Sequence, residues 1–480
     1  MIKKIKEKWR EMPITIKVSI AYVICNILQK CLSLITLPLF TRLLTTDQYG
    51  QSIIYSSWEG ILMLYLTLNL AYGSFQTAMI KYEQKRFEYI SSIQGICLLL
   101  SMIFLIIYFP FRNIWNKLLE LPTFFVLLMV SEILFITATQ LWMGKNRFEY
   151  KYKSVIAVTL LTSLLSPVFA FILVNITNEK GYARILGYAL VNIFIGCYLF
   201  IYNSKKGKKL FIKEYWKYAL KFNIPLLPYY LSQIIFNQSD RIMISHMIGK
   251  SEAAMYGVAY NLAMILVFVL NAINSSYVPW IYRKIKDNHG EDNKKVSIML
   301  IVLIGLLILG IIWFSPEIIS IMAGEQYKAA IYAIPPVAMS LLLLFYCQLF
   351  VNIEFYYEEK KALVYGSIGA AFVNIVLNYI FIPKFGFVVA GYTTLASYIV
   401  LAISNYYLLQ VILKRKKLPD NMYDYKAMII LFVLFILISF LGLALYKFLY
   451  IRLIITILVL IIIIINKGKV INIFKEIQKK

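Results

Sequence analysis

Three charged side chains fall inside long apolar stretches of the sequence, where a charge is costly. Lys30 lies near the middle of the first apolar run, Glu59 lies in the second, and Glu132 lies midway along the fourth. A lone cation at the centre of a membrane helix costs about 3 kcal/mol on insertion scales, so such residues usually serve a function. We therefore predict that Lys30 faces a cavity and contacts an anionic group of a substrate.

The same three residues have structural roles as alternatives. Lys30 could form an ion pair with Glu132 or Glu59, or could reach the membrane interface from a tilted helix. Each glutamate could carry a proton during a transport cycle, or could make a hydrogen bond within a helix bundle. The sequence alone leaves these roles of the glutamates evenly balanced.

Three further charged residues lie where apolar runs end. Arg42 follows the first run, and the pair Asp240 and Arg241 lies near the end of the seventh. They could form a gate at the outer surface or contact a lipid head group. They could equally anchor helix ends at the interface, since such ends need anchors in any membrane protein. We favour a structural or gating role.

Two pairs of amides occupy single helical faces. Asn271 and Asn274 are three residues apart, and Asn374 and Asn378 are four apart, so each pair points to one side of its helix. The amides could hydrogen-bond the hydroxyls of a sugar, but they could also join neighbouring helices, which we favour. Glu354, close to the inner end of its run, is expected at a solvated rim.

Composition places these residues in a membrane protein. The chain has 480 residues, of which 61% are hydrophobic and 15% charged, with a mean hydropathy of +0.73. A soluble protein of this size needs more charge. A helix needs roughly 20 residues to cross a bilayer, and runs of that length predict an all-α integral membrane protein with about 14 transmembrane helices. The runs are 18–40, 50–79, 89–111, 122–142, 154–176, 182–202, 222–247, 254–282, 296–323, 329–355, 362–382, 386–413, 427–448 and 450–466.

The basic residues orient the predicted helices. The net charge is +25, and most of the 49 Lys and Arg residues fall in alternate connections on the same side as the N-terminus. Cytoplasmic loops are enriched in Lys and Arg, so we expect both termini in the cytoplasm, an uncleaved N-terminal tail, and location in the cell (inner) membrane. The same placement argues against nucleic acid as a partner.

Enzymatic chemistry is not expected. The longest polar connections, 203–217 and 283–295, are too short for a catalytic domain. The five cysteines all lie in apolar runs without a C-x-x-C pair, and the chain has only two histidines. A metal site built from such ligands is therefore not predicted. A membrane polymerase or acyltransferase is disfavoured because the chain has neither a large outer loop nor a histidine deep in a run.

Two connections in the chain are alike. After the first run come Arg42, Thr46-Asp47 and Tyr49-Gly50, and after the seventh come Arg241, Ser251-Glu252 and Tyr256-Gly257. The hydroxyl and acidic residues suit a helix N-terminus. Since six runs separate the two, the halves share one orientation and predict a pseudo-two-fold axis along the membrane normal. The predicted parts are an N-terminal six-helix lobe (1–202), a basic cytoplasmic linker (203–217), a C-terminal six-helix lobe (218–413), and a terminal hairpin with a basic tail (414–480).

These motifs resemble those of the polysaccharide flippases, of the O-antigen and capsule type, in the MATE-like MOP superfamily. Such proteins show a "P-x-x-T-R-x-L…YG" segment after the first span, which here begins at Pro38. They also show a seventh span that opens with "P-x-x-P" and ends in Asp-Arg, here Pro225, Pro228 and Asp240-Arg241, followed by "YG-x-A-Y", here 256–260. The resemblance covers nearly the whole chain.

The resemblance implies transport of a polyprenyl-diphosphate-linked oligosaccharide from the cytoplasmic to the outer leaflet by alternating access. It makes Lys30 a contact for the diphosphate, and implies membrane lipids as partners, with other polysaccharide-assembly membrane proteins as a further option. No cofactor is implied, and whether a proton or sodium ion is coupled to transport stays open. A cation-coupled MATE-type drug or metabolite exporter is the alternative.

Overall fold

The computed structural model describes residues 13–287, 289–357, 361–416 and 421–465, and these ranges are almost entirely helical and contain no strand. The basic segments predicted as cytoplasmic tails lie largely outside the described residues. The helices of the first half are α1 (Ile14–Leu43), α2 (Thr46–Thr67), α3 (Ser74–Lys81), α4 (Arg86–Tyr108), α5 (Arg112–Leu119), α6 (Thr123–Phe148), α7 (Tyr152–Ile176), α8 (Lys180–Gly207) and α9 (Lys213–Asn223). Those that follow are α10 (Leu227–Met247), α11 (Lys250–Ala263), α12 (Ile265–Lys286), α13 (Asn293–Trp313), α14 (Ser315–Met322), α15 (Ile334–Tyr356), α16 (Lys361–Phe385), α17 (Val388–Arg415), α18 (Tyr425–Ala444) and α19 (Leu449–Ile465).

The helices confirm an all-α membrane protein. In the described ranges, eleven helical segments are long and apolar enough to cross a membrane. They match the predicted runs except 50–79, 222–247 and 450–466, whose described residues are nevertheless mostly helical. The first two of these carry polar residues such as Glu59 and Asp240, which lower their hydropathy, and α19 has only 17 residues.

The chain divides into two compact units, Met1–Ile242 and Met243–Lys480. The lobe and linker boundaries expected from the sequence remain a prediction. In the structure, α8 continues into the basic linker as far as Gly207, and α9 begins in that linker at Lys213 and extends beyond it to Asn223.

A capped helix start follows the first connection. Thr45 is the N-cap of α2: its side chain accepts a hydrogen bond from the Gln48 backbone, and the Gln48 side chain accepts one from the Thr45 backbone. Such a reciprocal cap satisfies two backbone donors that have no partner within the helix. In the second connection, α11 begins after Gly249 with Glu252 in its first turn. Both helix starts thus place an acid near the positive end of the helix dipole.

The second predicted span of the first unit is broken. Between α2 and α3, Leu68, Asn69 and Gly73 adopt positive φ values of 47°, 54° and 57°. A left-handed backbone ends an α-helix, and it is unfavourable for residues with a side chain. A Cβ atom at Gly73 would lie 2.8 Å from the Asn223 side-chain oxygen, so the site also lacks room for one. The span is therefore a pair of helices joined by an irregular turn.

Small residues bring α7 and α8 together. A Cβ atom at Gly187 of α8 would lie 2.3 Å from the Ala170 Cα of α7, so only glycine permits this approach. Close backbone contact through small residues stabilises helix pairs in membranes, where the hydrophobic effect between helices is absent. Since α1 packs along α7 as well, these three helices form one wall of the first unit.

In the second unit, α15 is the most enclosed helix and packs against α13, α17 and α18. The terminal helix α19 is joined to this unit by Arg452, which is 1% exposed. Its guanidinium donates to both carboxylate oxygens of Glu317 on α14, at 2.9 and 2.6 Å. Two parallel charge-assisted hydrogen bonds hold a planar guanidinium in one orientation.

Candidate functional site

Lys30 lines a cavity of about 460 Å³ within the first unit, which we call the lysine cavity. The residue lies near the middle of α1, and the opposite walls come from the middle of α7 and α8. The lining residues are Gln29, Lys30, Leu32, Ser33, Thr36, Thr162, Ser163, Ser166, Pro167, Tyr188 and Asn192. The cavity is therefore polar, although it lies half-way along three apolar helices.

The walls of the lysine cavity offer many neutral hydrogen-bonding groups. The Gln29 side-chain amide donates to the Ser163 hydroxyl at 3.0 Å and so connects α1 to α7. Pro167, inside α7, removes the backbone N–H that an ordinary residue would offer to the Ser163 carbonyl. Hydroxyls and amides are suited to sugar hydroxyls, and the ammonium group is suited to a phosphate.

A buried carboxylate is connected to the lysine cavity through Asn192. Glu132 on α6 is 3% exposed and accepts hydrogen bonds from the Tyr55 hydroxyl at 2.7 Å and the Asn192 amide at 2.8 Å. Glu59 on α2 is near enough to interact electrostatically with Glu132. Tyr55 and Asn192 were not identified from the sequence, since neither residue type is unusual in an apolar run.

A second cation lies close to the same cavity. The Arg184 guanidinium is 4.6 Å from the ring centroid of Tyr49, 5.0 Å from that of Phe40 and 5.5 Å from that of Tyr188, which lines the lysine cavity. Aromatic faces stabilise a cation, and more so away from water. This contact gives the buried Tyr49 of the first connection a structural role. Arg184 was not among the residues predicted from the sequence, although an arginine just inside the sixth apolar run was a signal that could have identified it.

The predicted amide pairs lie in the second unit. Asn374 and Asn378 are buried, and the Asn378 amide donates to the Asn374 oxygen at 3.2 Å. Asn374 also donates to the Thr394 hydroxyl of α17 at 3.3 Å, and Asn378 accepts from Thr393. This pair therefore joins two helices, as favoured from the sequence, and its contact with a sugar stays a prediction.

The other amide pair differs. Asn274 accepts a hydrogen bond from the Asn352 amide at 2.7 Å, which joins α12 to α15. Asn271 is exposed.

The predicted gate residues differ in exposure. Arg42 is exposed in the last turn of α1, whereas Asp240 and Arg241 are 2% and 8% exposed on α10. Arg241 donates to the Gln238 side chain at 3.1 Å. Burial of the pair is compatible with helix anchoring as well as with gating, so the gating role remains a prediction.

The expectation for Glu354 was wrong. It was placed at a solvated rim because "YYEEKK" follows it closely, but its side chain is fully buried in α15. Within the described residues, neither carboxylate oxygen has a hydrogen-bond partner. The residue lies on the enclosed face of the most buried helix of its unit, which local sequence does not reveal.

A cluster of charges follows the end of α6. Glu149 contacts Lys145 and Lys151, each at 2.7 Å, and Arg86 at 3.7 Å. Partial burial by itself raises the pKa of the Glu149 carboxyl, but hydrogen bonds from Lys145 and Lys151 outweigh it and hold this pKa below its ordinary value. The carboxylate therefore stays charged at neutral pH. Among the described residues, no group of three or more His, Cys, Asp or Glu side chains could hold a metal ion.

The predicted site residues are only partly brought together. In the first unit, Lys30 and Asn192 line the same cavity, Asn192 donates a hydrogen bond to Glu132, and Glu59 is near enough to interact electrostatically with Glu132. The two amide pairs belong to the second unit, and Arg42 lies at the end of α1. We therefore take the charged and polar groups of the first unit, namely Lys30, Asn192, Glu132 and Glu59, as the candidate site.

Solved structures share this fold. One is described as an inward-facing conformation of a multidrug resistance MATE family transporter of the MOP superfamily, with a TM-score of 0.62, 15% identity, and coverage of 81% of this chain and 95% of that one. Another is described as lipid II flippase MurJ in an inward closed conformation, with a TM-score of 0.61, 16% identity, and coverage of 88% and 98%. The chain therefore shares the fold of these two solved structures.

Sequence comparison gives the family. The family described as "Polysaccharide biosynthesis protein" matches residues 16–284, and the MatE family matches residues 225–380. A protein of Haemophilus influenzae described as "Lsg locus putative protein 1" is 22% identical over 376 residues, which are 75% of this chain and 89% of that protein. The chain belongs to the polysaccharide biosynthesis protein family, which confirms the resemblance noted from its motifs.

Proposed function

We propose that the protein is a flippase that moves a polyprenyl-diphosphate-linked oligosaccharide from the cytoplasmic to the outer leaflet by alternating access. The observation that carries this proposal is Lys30, a mid-helix cation that lines a polar cavity. Charged residues inside membrane helices usually serve transport, and a cation that lines a polar cavity can bind an anionic group of a substrate. Membership of the polysaccharide biosynthesis protein family supports the same class of substrate.

The chemistry of the cavity fits both parts of such a substrate. Ser33, Thr36 and Thr162 offer hydroxyl groups, and Gln29 and Asn192 offer amides, all of which hydrogen-bond sugar hydroxyls. The Lys30 ammonium can contact a phosphate oxygen while these neutral groups replace water around the sugar. The protein then acts as a transporter and makes or breaks no covalent bond.

An exporter of cationic drugs or metabolites is the second candidate. The buried Glu132 favours it, because a carboxylate beside the cavity could bind an organic cation or a coupling ion. The multidrug transporter described above has the same fold, but identity this low carries no information about substrate. The lysine at the cavity wall opposes a cationic substrate, so we prefer the flippase.

Deletion of the gene distinguishes the two functions. A flippase predicts that the lipid-linked oligosaccharide accumulates in the cytoplasmic leaflet, where it is protected from a glycan-modifying enzyme added outside spheroplasts. Complementation should restore its exposure. Normal surface polysaccharide together with increased drug sensitivity would instead identify an exporter.

A further inference from the structure

A second polar cavity lies in the first unit, towards the inner ends of the helices as oriented by the sequence charges. Its volume is about 430 Å³, and it is formed by the turn between α2 and α3 together with the last turns of α6. Its polar lining consists of Tyr72, Gln76, Gln140, Arg147 and Tyr150. We call it the Arg147 cavity, and none of its residues lines the lysine cavity.

Unfavourable backbone conformations occur on both sides of the Arg147 cavity. Leu68 and Asn69, in the turn before Tyr72, have positive φ values, and so does Tyr150 on the opposite side, at 54°. A bulky residue in the left-handed region costs of order 1 kcal/mol or more, and such residues concentrate at ligand sites. The conformation of Tyr150 is fixed because the neighbouring Lys151 N–H donates to the Asn146 carbonyl at 2.9 Å. Two constrained segments therefore shape the cavity.

The positive charge of Arg147 is not neutralised by the neighbouring acid. Glu149 binds Lys145, Lys151 and Arg86, so three cations already compete for one carboxylate. Within the described part of the chain, Arg147 forms no ion pair, and its guanidinium lies 5.6 Å from the ring centroid of Tyr22 on α1. Arg147 is exposed at the cavity wall and can bind an external anion.

The position of Arg147 relates the two cavities. Tyr22, which it contacts, lies on α1, and Lys30 lies about 12 Å further along the same helix at 1.5 Å rise per residue. An anion bound at Arg147 would therefore lie close to the inner end of α1. The next cation further along α1 is Lys30, about half-way along the helix. The guanidinium, with two side-chain amides and two phenol groups around it, supplies donors for several phosphate oxygens.

We propose that the Arg147 cavity binds the diphosphate group of the lipid-linked substrate on the cytoplasmic side, before the substrate reaches the lysine cavity. This assignment rests on the proposed flippase function. Arg147 is the anion-binding residue, and Gln76 and Gln140 orient the diphosphate. A lipid diphosphate is favoured over a free anion because the cavity also has apolar walls, from Phe75 and Met143, next to its polar groups.

Binding of farnesyl diphosphate to the full chain in phosphatidylcholine nanodiscs tests the site. We expect saturable binding by the unaltered protein, weakened roughly tenfold in Arg147→Gln, as for the loss of a charge-assisted contact. Arg147→Lys should lose less than Arg147→Gln. Lys153→Gln removes an exposed charge that lies outside the cavity and is the matched control, with unchanged affinity.

Further comparisons decide the assignment. Farnesol should bind without any effect of Arg147→Gln, since it has no phosphate. Equal affinity for inorganic pyrophosphate, or equal competition by phosphatidylglycerol, would overturn the proposal in favour of a free anion or a phospholipid head group. If Arg147→Gln binds farnesyl diphosphate with unchanged affinity and still moves the oligosaccharide to the outer leaflet, the Arg147 cavity is refuted as a binding site. The flippase function is then left intact. If outward exposure of the oligosaccharide is lost in Lys30→Gln but not in Arg147→Gln, the Arg147 cavity is refuted as a binding site and the flippase function is not. If the unaltered protein does not export the oligosaccharide at all, the flippase function itself is refuted.

Discussion

At the scale of single residues, Glu132 is the best-defined polar group of the candidate site. Both of its described hydrogen bonds come from other helices, the Tyr55 hydroxyl from α2 and the Asn192 amide from α8. A buried carboxylate with these partners stabilises the contact of three helices, whatever its part in transport. Its structural and transport roles can be separated because substitution by glutamine retains the shape of the side chain but not its charge.

Glu132→Ala should destabilise the first unit by about 2–4 kcal/mol, because Tyr55 and Asn192 would lose a buried partner. Tyr55→Phe should cost about 1 kcal/mol, the net value of one hydrogen bond. Thermal unfolding in detergent, followed by tryptophan fluorescence, measures both. Ser131→Ala is the control: among the described residues, the Ser131 hydroxyl donates only to the Leu127 carbonyl of its own helix. The midpoint of thermal unfolding of this variant should barely change. A Glu132→Ala protein as stable as this control would show that the network does not support the fold.

The sequence predicted some of these residues and not others for a physical reason. Lys30 and Glu132 were identified because a charge in an apolar run is conspicuous, whereas Tyr55 and Asn192 are ordinary residues whose role depends on helix packing. Glu354 was misplaced because nearby charges indicated a rim, while burial is decided by the surrounding helices. Local composition predicts how deep a residue lies along a helix but not which neighbours it meets.

At the scale of helices and their connections, the Glu149 cluster joins the end of α6 to the beginning of α4. The Glu149 carboxyl has a lowered pKa in the folded protein, because the ammonium groups of Lys145 and Lys151 outweigh the effect of burial. A group with a lowered pKa stabilises the fold above its ordinary pKa, and this contribution is lost as the pH falls through the folded value.

Unfolding temperature should therefore fall more steeply between about pH 5 and pH 3 in the unaltered protein than in Glu149→Gln. The stabilisation that is lost should be about 1 kcal/mol, as for a partly exposed ion-pair network. Glu83→Gln, at the exposed acid near Arg86, is the control and should retain the full pH dependence. Identical pH profiles of Glu149→Gln and the unaltered protein would contradict this account.

The terminal helix α19 provides a second prediction at this scale. Because Arg452 is buried with Glu317 as its acidic partner, Glu317→Gln should weaken the attachment of α19 by about 3–5 kcal/mol. Limited proteolysis between α18 and α19 should accelerate, and Arg452→Met should have a similar effect.

The double variant distinguishes an ion pair from separate contacts. Arg452→Met with Glu317→Gln should be no worse than either single change, since no buried charge is then left alone. Additive acceleration of proteolysis would show that the two residues act independently. The sequence offered no signal for this pair, because its partners lie far apart in the chain.

At the scale of the whole molecule, the sequence predicted the helices well and their interruptions poorly. Apolar runs of roughly 20 residues sufficed to locate the spans. The break between α2 and α3 was not predicted, since it begins at Leu68, a residue type that rarely adopts a left-handed conformation, although Asn69 adopts one more readily. Broken membrane helices often border transport sites, and this one borders the Arg147 cavity.

The predicted orientation places both termini in the cytoplasm, because basic residues concentrate on that side. Single cysteines added at each terminus of a variant lacking the five native cysteines should react with an impermeant maleimide only after the cells are opened. A cysteine in the connection between α4 and α6 should react in intact cells. Labelling of either terminus in intact cells would overturn the orientation, and with it the cytoplasmic placement of the Arg147 cavity.

The most direct test of the central claim is the leaflet distribution of the lipid-linked oligosaccharide in cells whose only copy of the protein carries Lys30→Gln. At equal membrane abundance, we predict at least a tenfold fall in outward exposure, with Lys30→Arg retaining most of it because the cation remains. Cys31→Ser, at the exposed neighbouring position outside the lysine cavity, should behave as the unaltered protein. Unchanged exposure of the oligosaccharide in Lys30→Gln would contradict the role assigned to the lysine cavity.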